Sequence, residues 1–202
     1  GYDFEERCRF LFGYSYTDFK KLDLPNILDE SQGGTGMAEG NNPPFYIMAD
    51  DPLLGIMSRH IPDGARELYL SYAQQLESLA GQGSRFSYIF EFEAELCKTL
   101  AAKCDLSKQI KAAYDVKDRK AIAEICLKIP QVIEQIERFH AAYDSYWRTF
   151  NKTMGWEVFD IRLGGMIMRL KTVKATLEDY AAGRISRIEE LEQQRLPIYT
   201  GA

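Results

Sequence analysis

The chain has 202 residues, 46% of them hydrophobic and 27% charged, an ordinary globular composition large enough for a sizeable core. Its formal net charge of -5 argues against a nucleic-acid binder, because counterion release needs a basic face. No apolar run is long enough to span a bilayer, and the opening Gly1-Tyr2-Asp3-Phe4-Glu5-Glu6-Arg7 has neither the basic region nor the apolar core of a signal peptide. It reads as the interior of a longer protein.

Residues 1–63 form a loop-rich segment with short helical pieces. Asp3 is placed to cap a helix carrying Phe4, Cys8, Leu11 and Phe12, with Gly13 ending it. Thr17 or Asp18 is placed to cap a short turn through Leu22. The runs Gln32-Gly33-Gly34-Thr35-Gly36 and Gly40-Asn41-Asn42-Pro43-Pro44 read as loop. They lack the spacing of a phosphate-binding loop. Phe45-Tyr46-Ile47-Met48 is a short apolar run with extended character, and Asp50-Asp51-Pro52-Leu53-Leu54-Gly55 carries turn chemistry.

Residues 64–202 read as helical throughout. Leu68, Tyr72, Leu76 and Leu79 have helix spacing, closed by Gly81 and Gly83. Ser84 is placed to cap the next helix, through Tyr88, Phe92, Leu96 and Leu100. A shorter segment holds Ile110, Ala113 and Tyr114. Asp118 starts another, and Pro130 fits the first turn of a separate long helix through Ile133, Ile136, Phe139, Tyr143 and Trp147. Gly155 interrupts it. The last major helix is predicted from about Gly164 to Ala182, with Gly183 ending it, followed by a short terminal helix over 187–195. The expected fold is all-α, an antiparallel bundle of about five or six helices.

The residues that carry chemistry elsewhere are sparse. His60 and His140 are the only histidines, and neither has a ligand partner at zinc spacing. Glu137 and His140 make a single Glu-x-x-His match without a mate, too little for a di-iron bundle. Glu91, Glu93 and Glu95 read as a solvated face. The thiols Cys8, Cys97, Cys104 and Cys126 form no CxxC pair and read as buried free cysteines of a reducing compartment. No metal and no cofactor are implied.

The densest run is Gly155-Trp156-Glu157-Val158-Phe159-Asp160-Ile161-Arg162-Leu163-Gly164-Gly165, placed between two helical segments. Two readings stand. One is a helix junction in which Glu157 or Asp160 pairs with Arg162 and the two glycines let helices approach closely. The other is a binding or docking surface with Trp156, Glu157, Asp160 and Arg162 as its residues.

The segment from Lys152 to Gly165, together with Arg169, resembles the C-terminal helical region of bacterial β-N-acetylhexosaminidases of glycoside hydrolase family 20. So do Asn42-Pro43, Tyr46, Asp51-Pro52-Leu53-Leu54-Gly55 and His60-Ile61, and the opening from Phe10 to Phe19 resembles the stretch after the last barrel strand. The resemblance implies an exo-acting parent enzyme, in which an Asp orients the substrate's acetamide and a neighbouring Glu is the general acid. Asp29-Glu30 is an acidic pair but follows Ile27-Leu28 rather than the family's His-x-Gly-Gly, so no catalytic role is carried onto it. By this resemblance residues 1–63 connect to an upstream catalytic barrel, and 64–202 are a C-terminal domain inactive by itself. Its implied partners are that barrel, a second copy in a homodimer and, through the parent enzyme, N-acetylhexosamine-terminated glycans. Neither nucleic acid nor membrane is implied, and the expected location is the bacterial cytoplasm. The alternative is a free-standing helical interaction module.

Overall fold

A computed structural model describes residues 3–28 and 42–195 of the chain. All regular structure among the described residues is helical, which agrees with the all-α expectation. Helix α1 (Phe4–Phe12) starts where the Asp3 carboxylate accepts the Glu5 and Glu6 amides, and it stops at Gly13, whose φ of 77° suits glycine. Helix α2 (Tyr16–Lys20) is capped by Ser15 rather than by Thr17 or Asp18. The Ser15 hydroxyl accepts the Asp18 amide at 3.0 Å while the Asp18 carboxylate accepts the Ser15 amide at 2.9 Å. Asp18 thus belongs to the cap as its third helical residue, the reciprocal half of a capping box.

The run Phe45–Met48 is not extended. It lies in helix α3 (Pro43–Ala49), which Asn42 caps by accepting the Phe45 amide at 3.0 Å. Pro43 and Pro44 occupy the first turn, where no intrahelical amide donor is required, so prolines that read as loop begin a helix. Asp29-Glu30 and the Gln32–Gly36 run lie outside the described residues.

Helices α4 (Ala65–Ala80), α5 (Ser87–Lys103), α6 (Leu106–Asp115), α7 (Arg119–Phe150) and α8 (Glu157–Ala181) make the bundle, with a short α9 (Glu189–Glu192) after it. Ser84 stands outside α5. Its hydroxyl accepts the Phe86 amide at 3.3 Å and donates to the Phe12 carbonyl at 2.6 Å, tying the α4–α5 turn to α1. Pro130 does not start a helix. It lies within the 32-residue α7, which the Asp118 carboxylate caps by accepting the Ala121 amide. The missing amide leaves the Cys126 carbonyl without its usual donor, but Ile122, Ile125, Ile129, Val132, Ile136 and Phe139 form one buried stripe across the proline. Continuous burial on both sides outweighs the local loss.

Neighbouring helices run antiparallel. Across α7 and α8, Arg119 reaches the Tyr180 carbonyl, His140 meets Asp160 and Tyr143 meets Phe159. Across α5 and α7, Tyr88 meets Tyr146, Phe92 meets Tyr143, and Glu95 accepts from Gln135. The buried side chains form two clusters. One joins α6, α7 and α8 with Leu53, Ile188 and Leu191. The other joins α4 and α5 with Tyr14, Leu28, Ile47 and Ile61, so the first 63 residues supply core to both. Tyr14 is fully buried, its hydroxyl 2.9 Å from both the Leu79 carbonyl and Ser87 Oγ.

Pro130 is exposed, so an alanine there meets no packing constraint. Pro130→Ala is expected to raise the unfolding free energy by about 1–2 kcal/mol, because it restores a helical amide at a modest loss of unfolded-state rigidity. Urea titration measures this, and an unchanged midpoint would mean that α7 has no deficit at the proline.

Candidate functional site

The α7–α8 turn is built by Gly155 at φ 96°, with the Glu157 carboxylate accepting the Gly155 amide at 2.8 Å. Helix α8 therefore begins at Glu157, one residue after the tryptophan and well before Gly164. Trp156 turns inward and is only 7% exposed. Its ring centroid lies 5.3 Å from those of His140 and Tyr143, 5.6 Å from Phe159 and 6.0 Å from Trp147. The indole is thus part of an aromatic cluster between α7 and α8, not a protruding anchor.

The expected pairing of Arg162 with Glu157 or Asp160 does not form. Once these residues are helical, their spacings of five and two put them on different faces. Asp160 Oδ1 instead lies 2.7 Å from His140 Nε2, which joins the lone Glu-x-x-His histidine to the neighbouring helix. Arg162 is exposed and has no hydrogen bond or ion pair among the described residues. Gly164 and Gly165 lie inside α8, and a Cβ at either would meet nothing within 4 Å. No described helix of this chain approaches α8 there, contrary to the close approach expected from the sequence.

Arg162 reaches the rim of a cleft of about 470 Å³ that runs between α3, the turn at 50–52, the end of α5, and the facing sides of α7 and α8. Its walls are apolar and aromatic: Phe45 and Met48 from α3, Phe139 and Tyr143 from α7, Phe159 and Met166 from α8. Charged groups also line it. Lys103 is 6% exposed and Asp50 7% exposed. The Lys103 ammonium donates to the Asp50 carbonyl at 3.2 Å, and this is its one hydrogen bond among the described residues. Burial pulls the ammonium down to about 8 despite the nearby Asp50 and Asp51. Burial likewise raises Asp50, although its carboxylate accepts the Met57 amide at 2.8 Å.

Asp51 behaves oppositely. Burial alone would raise it, but two hydrogen bonds from Arg169, at 2.6 and 3.1 Å, and the amides of Leu53 and Leu54 hold it below the usual carboxylate range. Arg169 also donates to Glu190 at 2.5 Å, joining α8 to α9. Two separate pieces of the family-like pattern, Asp51-Pro52-Leu53-Leu54-Gly55 and Arg169, thereby meet in one ion-pair network.

The acidic run on α5 is not a uniform solvated face. Glu91 is exposed, but Glu95 bonds Lys98 and Gln135. Glu93 is partly buried, and that burial, with Asp23 nearby, pushes its carboxyl up to about 7. Cys8, Cys97, Cys104 and Cys126 are buried free thiols. Among the described residues no helix is long and apolar enough to cross a membrane.

The chain belongs to a glycoside hydrolase family: the model described as the Glycoside Hydrolase 20C C-terminal domain matches residues 17–202. No curated protein sequence matches the chain. Membership in a C-terminal-domain family implies a catalytic domain within the same protein. Helix α1 lies ahead of the matched region.

Sequence spacing pointed to Arg162 and Arg169 but missed Lys103. A lysine in a helix reads as solvent-facing, and its burial becomes visible only when α3 and the 50–52 turn cover it. Asp51→Asn is expected to destabilise the chain by about 1–3 kcal/mol at neutral pH, because it removes a partly buried charge from Arg169. The folded-state value of Asp51 lies below its unfolded value, so its contribution is complete above the ordinary carboxylate range and is lost as pH falls through the folded value. Denaturant titrations of both proteins should accordingly show a constant gap from pH 5 to 8 that closes near and below about 4; a gap that widened in acid would contradict the assignment.

Proposed function

We propose that this chain is the non-catalytic C-terminal helical domain of an exo-acting β-N-acetylhexosaminidase, and that it supports the catalytic barrel and pairs with a second copy. Terminal N-acetylglucosamine or N-acetylgalactosamine residues are then substrates of the barrel, not ligands of the bundle. The cleft's carboxylates support an inactive domain. Glycoside hydrolysis needs a proton donor and a second acceptor or nucleophile poised on a sugar, whereas Asp50 holds the Met57 amide and Asp51 holds Arg169. Membership in a C-terminal-domain family gives the alternative of a free-standing interaction module no support.

The observation that carries the assembly reading is the outer face of α8. Val158, Ile161 and Met168 are 40%, 73% and 62% exposed, and the open Gly164-Gly165 pair sits between them. Two mid-helix glycines each sacrifice about 1 kcal/mol of helix propensity, which close backbone approach by another helix offsets. Crossing two copies of α8 antiparallel at the glycines sets Ile161 against Met168 of the second copy and brings Glu157 beside Lys171. That arrangement buries the apolar stripe and pairs opposite charges, the self-complementarity a two-fold contact needs. Contact with the barrel falls to α1, where Phe4 and Phe10 are 55% and 88% exposed just ahead of the family-matched region.

The full-length protein is expected to hydrolyse an aryl N-acetylglucosaminide and the 202-residue chain to leave it intact; turnover by the chain alone would overturn the non-catalytic reading. In sedimentation equilibrium of the full-length protein, Ile161→Glu should weaken dimerisation at least about tenfold, a buried charge being worth more than 1.4 kcal/mol. A wild-type monomer, or a dimer indifferent to this change, would remove α8 as the interface. Trp156→Ala is unsuited to this purpose, because emptying a buried indole site lowers stability by about 3–5 kcal/mol.

A further inference from the structure

We propose that the cleft between α3, α7 and α8 is a binding site for a small organic anion: an apolar body lying between the aromatic walls, with its carboxylate reaching Lys103. The site adjoins the outer face of α8 at Gly165 and is independent of the sugar chemistry assigned to the parent enzyme.

The shape comes first. A cleft of about 470 Å³ falls in the size range of small-molecule sites, and its walls are mostly side chains without polar atoms. Met48, Phe139, Phe159 and Met166 give a slot suited to an alkyl or aryl group. A ligand made only of polar groups would lose hydration there without replacement hydrogen bonds.

The charges then select the sign. Lys103 is 94% buried by difference from its 6% exposure, yet its ammonium has a single neutral hydrogen-bond partner among the described residues. A buried ammonium is stable only when its remaining donors and its charge are answered. The local carboxylates do not fully answer it. Asp51 is committed to Arg169, and Asp50 makes no ion pair with Lys103 within 4.0 Å, its carboxylate being turned to the Met57 amide. Arg162 adds a second unmatched cation on the rim, about one and two-thirds helical turns after Trp156, which caps α8. An incoming carboxylate would be hydrogen-bonded at the inner end by Lys103 and drawn in by Arg162 from the outer end. The same two cations disfavour a cationic ligand.

The test uses the full-length protein, so that a cleft covered by the catalytic domain registers as a failure. Octanoate serves as the probe, with 1-octanol as the body without the charge and inorganic phosphate as the charge without the body. Calorimetry should show octanoate saturating one site per chain, with each control at least about tenfold weaker. Lys103→Met keeps an unbranched side chain only one atom shorter and removes the charge; it should weaken octanoate at least about tenfold and leave 1-octanol unchanged. Met166→Trp, which fills the slot from a partly exposed position, should weaken both and serves as the second probe if Lys103→Met does not fold. Absence of saturable octanoate binding at millimolar concentration would overturn the proposal. Equal affinity for 1-octanol would overturn it too, as would indifference to both substitutions. Binding by the 202-residue chain but not by the full-length protein would reassign the cleft to an interdomain contact.

Discussion

The ion pair between Arg169 and Asp51 joins parts of the chain that lie far apart in sequence. Asp51 lies in a turn between α3 and the long helices, Arg169 in the middle of α8, and Glu190 in α9 beyond it. The planar guanidinium meets the Asp51 carboxylate with two nitrogens, which fixes an orientation as well as a distance. The same carboxylate accepts the Leu53 and Leu54 amides, so the turn is shaped by the oxygens that hold the arginine. Leu53 then enters the α6–α7–α8 core with no exposure. With Met48 and Leu53 packed on that core, the bridge secures the turn that sets α3 beside α7 and α8 as the cleft's third wall.

The features readable from the amino acids are those set by neighbours in sequence. Asp3, Asn42 and Asp118 cap helices through their own carboxylate or amide oxygens, and Gly13 and Gly155 take backbone angles that side chains resist. Asp3, Asp118 and both glycines were recognisable as boundaries because nothing distant modifies them. Pro130 was misleading for the opposite reason. A proline's local preference is to begin a helix, but the apolar stripe before and after it is continuous, and packing on α5 and α8 decides. The prolines of α3 show the same principle, since Asn42 turned a loop-like composition into a helical first turn.

The Trp156 run shows where spacing alone gives out. Aromatics and charges concentrated near glycines are compatible with either an exposed anchor or a buried corner, and which one holds depends on where α8 starts. Its start at Glu157 sends the indole into the gap beside Tyr143 and leaves Glu157 and Asp160 on one side of the helix and Arg162 on another. Of these, Arg162 alone reaches the cleft. Lys103 completes that cleft from another helix, and its importance comes from burial by segments remote in sequence. On α8, then, the exposed apolar residues Val158, Ile161 and Met168 and the cleft-lining Phe159, Arg162 and Met166 occupy different parts of one helix surface.

The aromatic corner has an optical consequence. Trp147 and Trp156 are the chain's two tryptophans, and their rings lie 6.0 Å apart at the same end of the bundle. One is shielded and the other partly exposed, with the Trp147 indole N–H donating to the Lys152 carbonyl. Intrinsic tryptophan emission from this domain consequently reports the α7–α8 corner alone. The α4–α5 half of the bundle is spectroscopically silent at that wavelength and is visible only through its tyrosines.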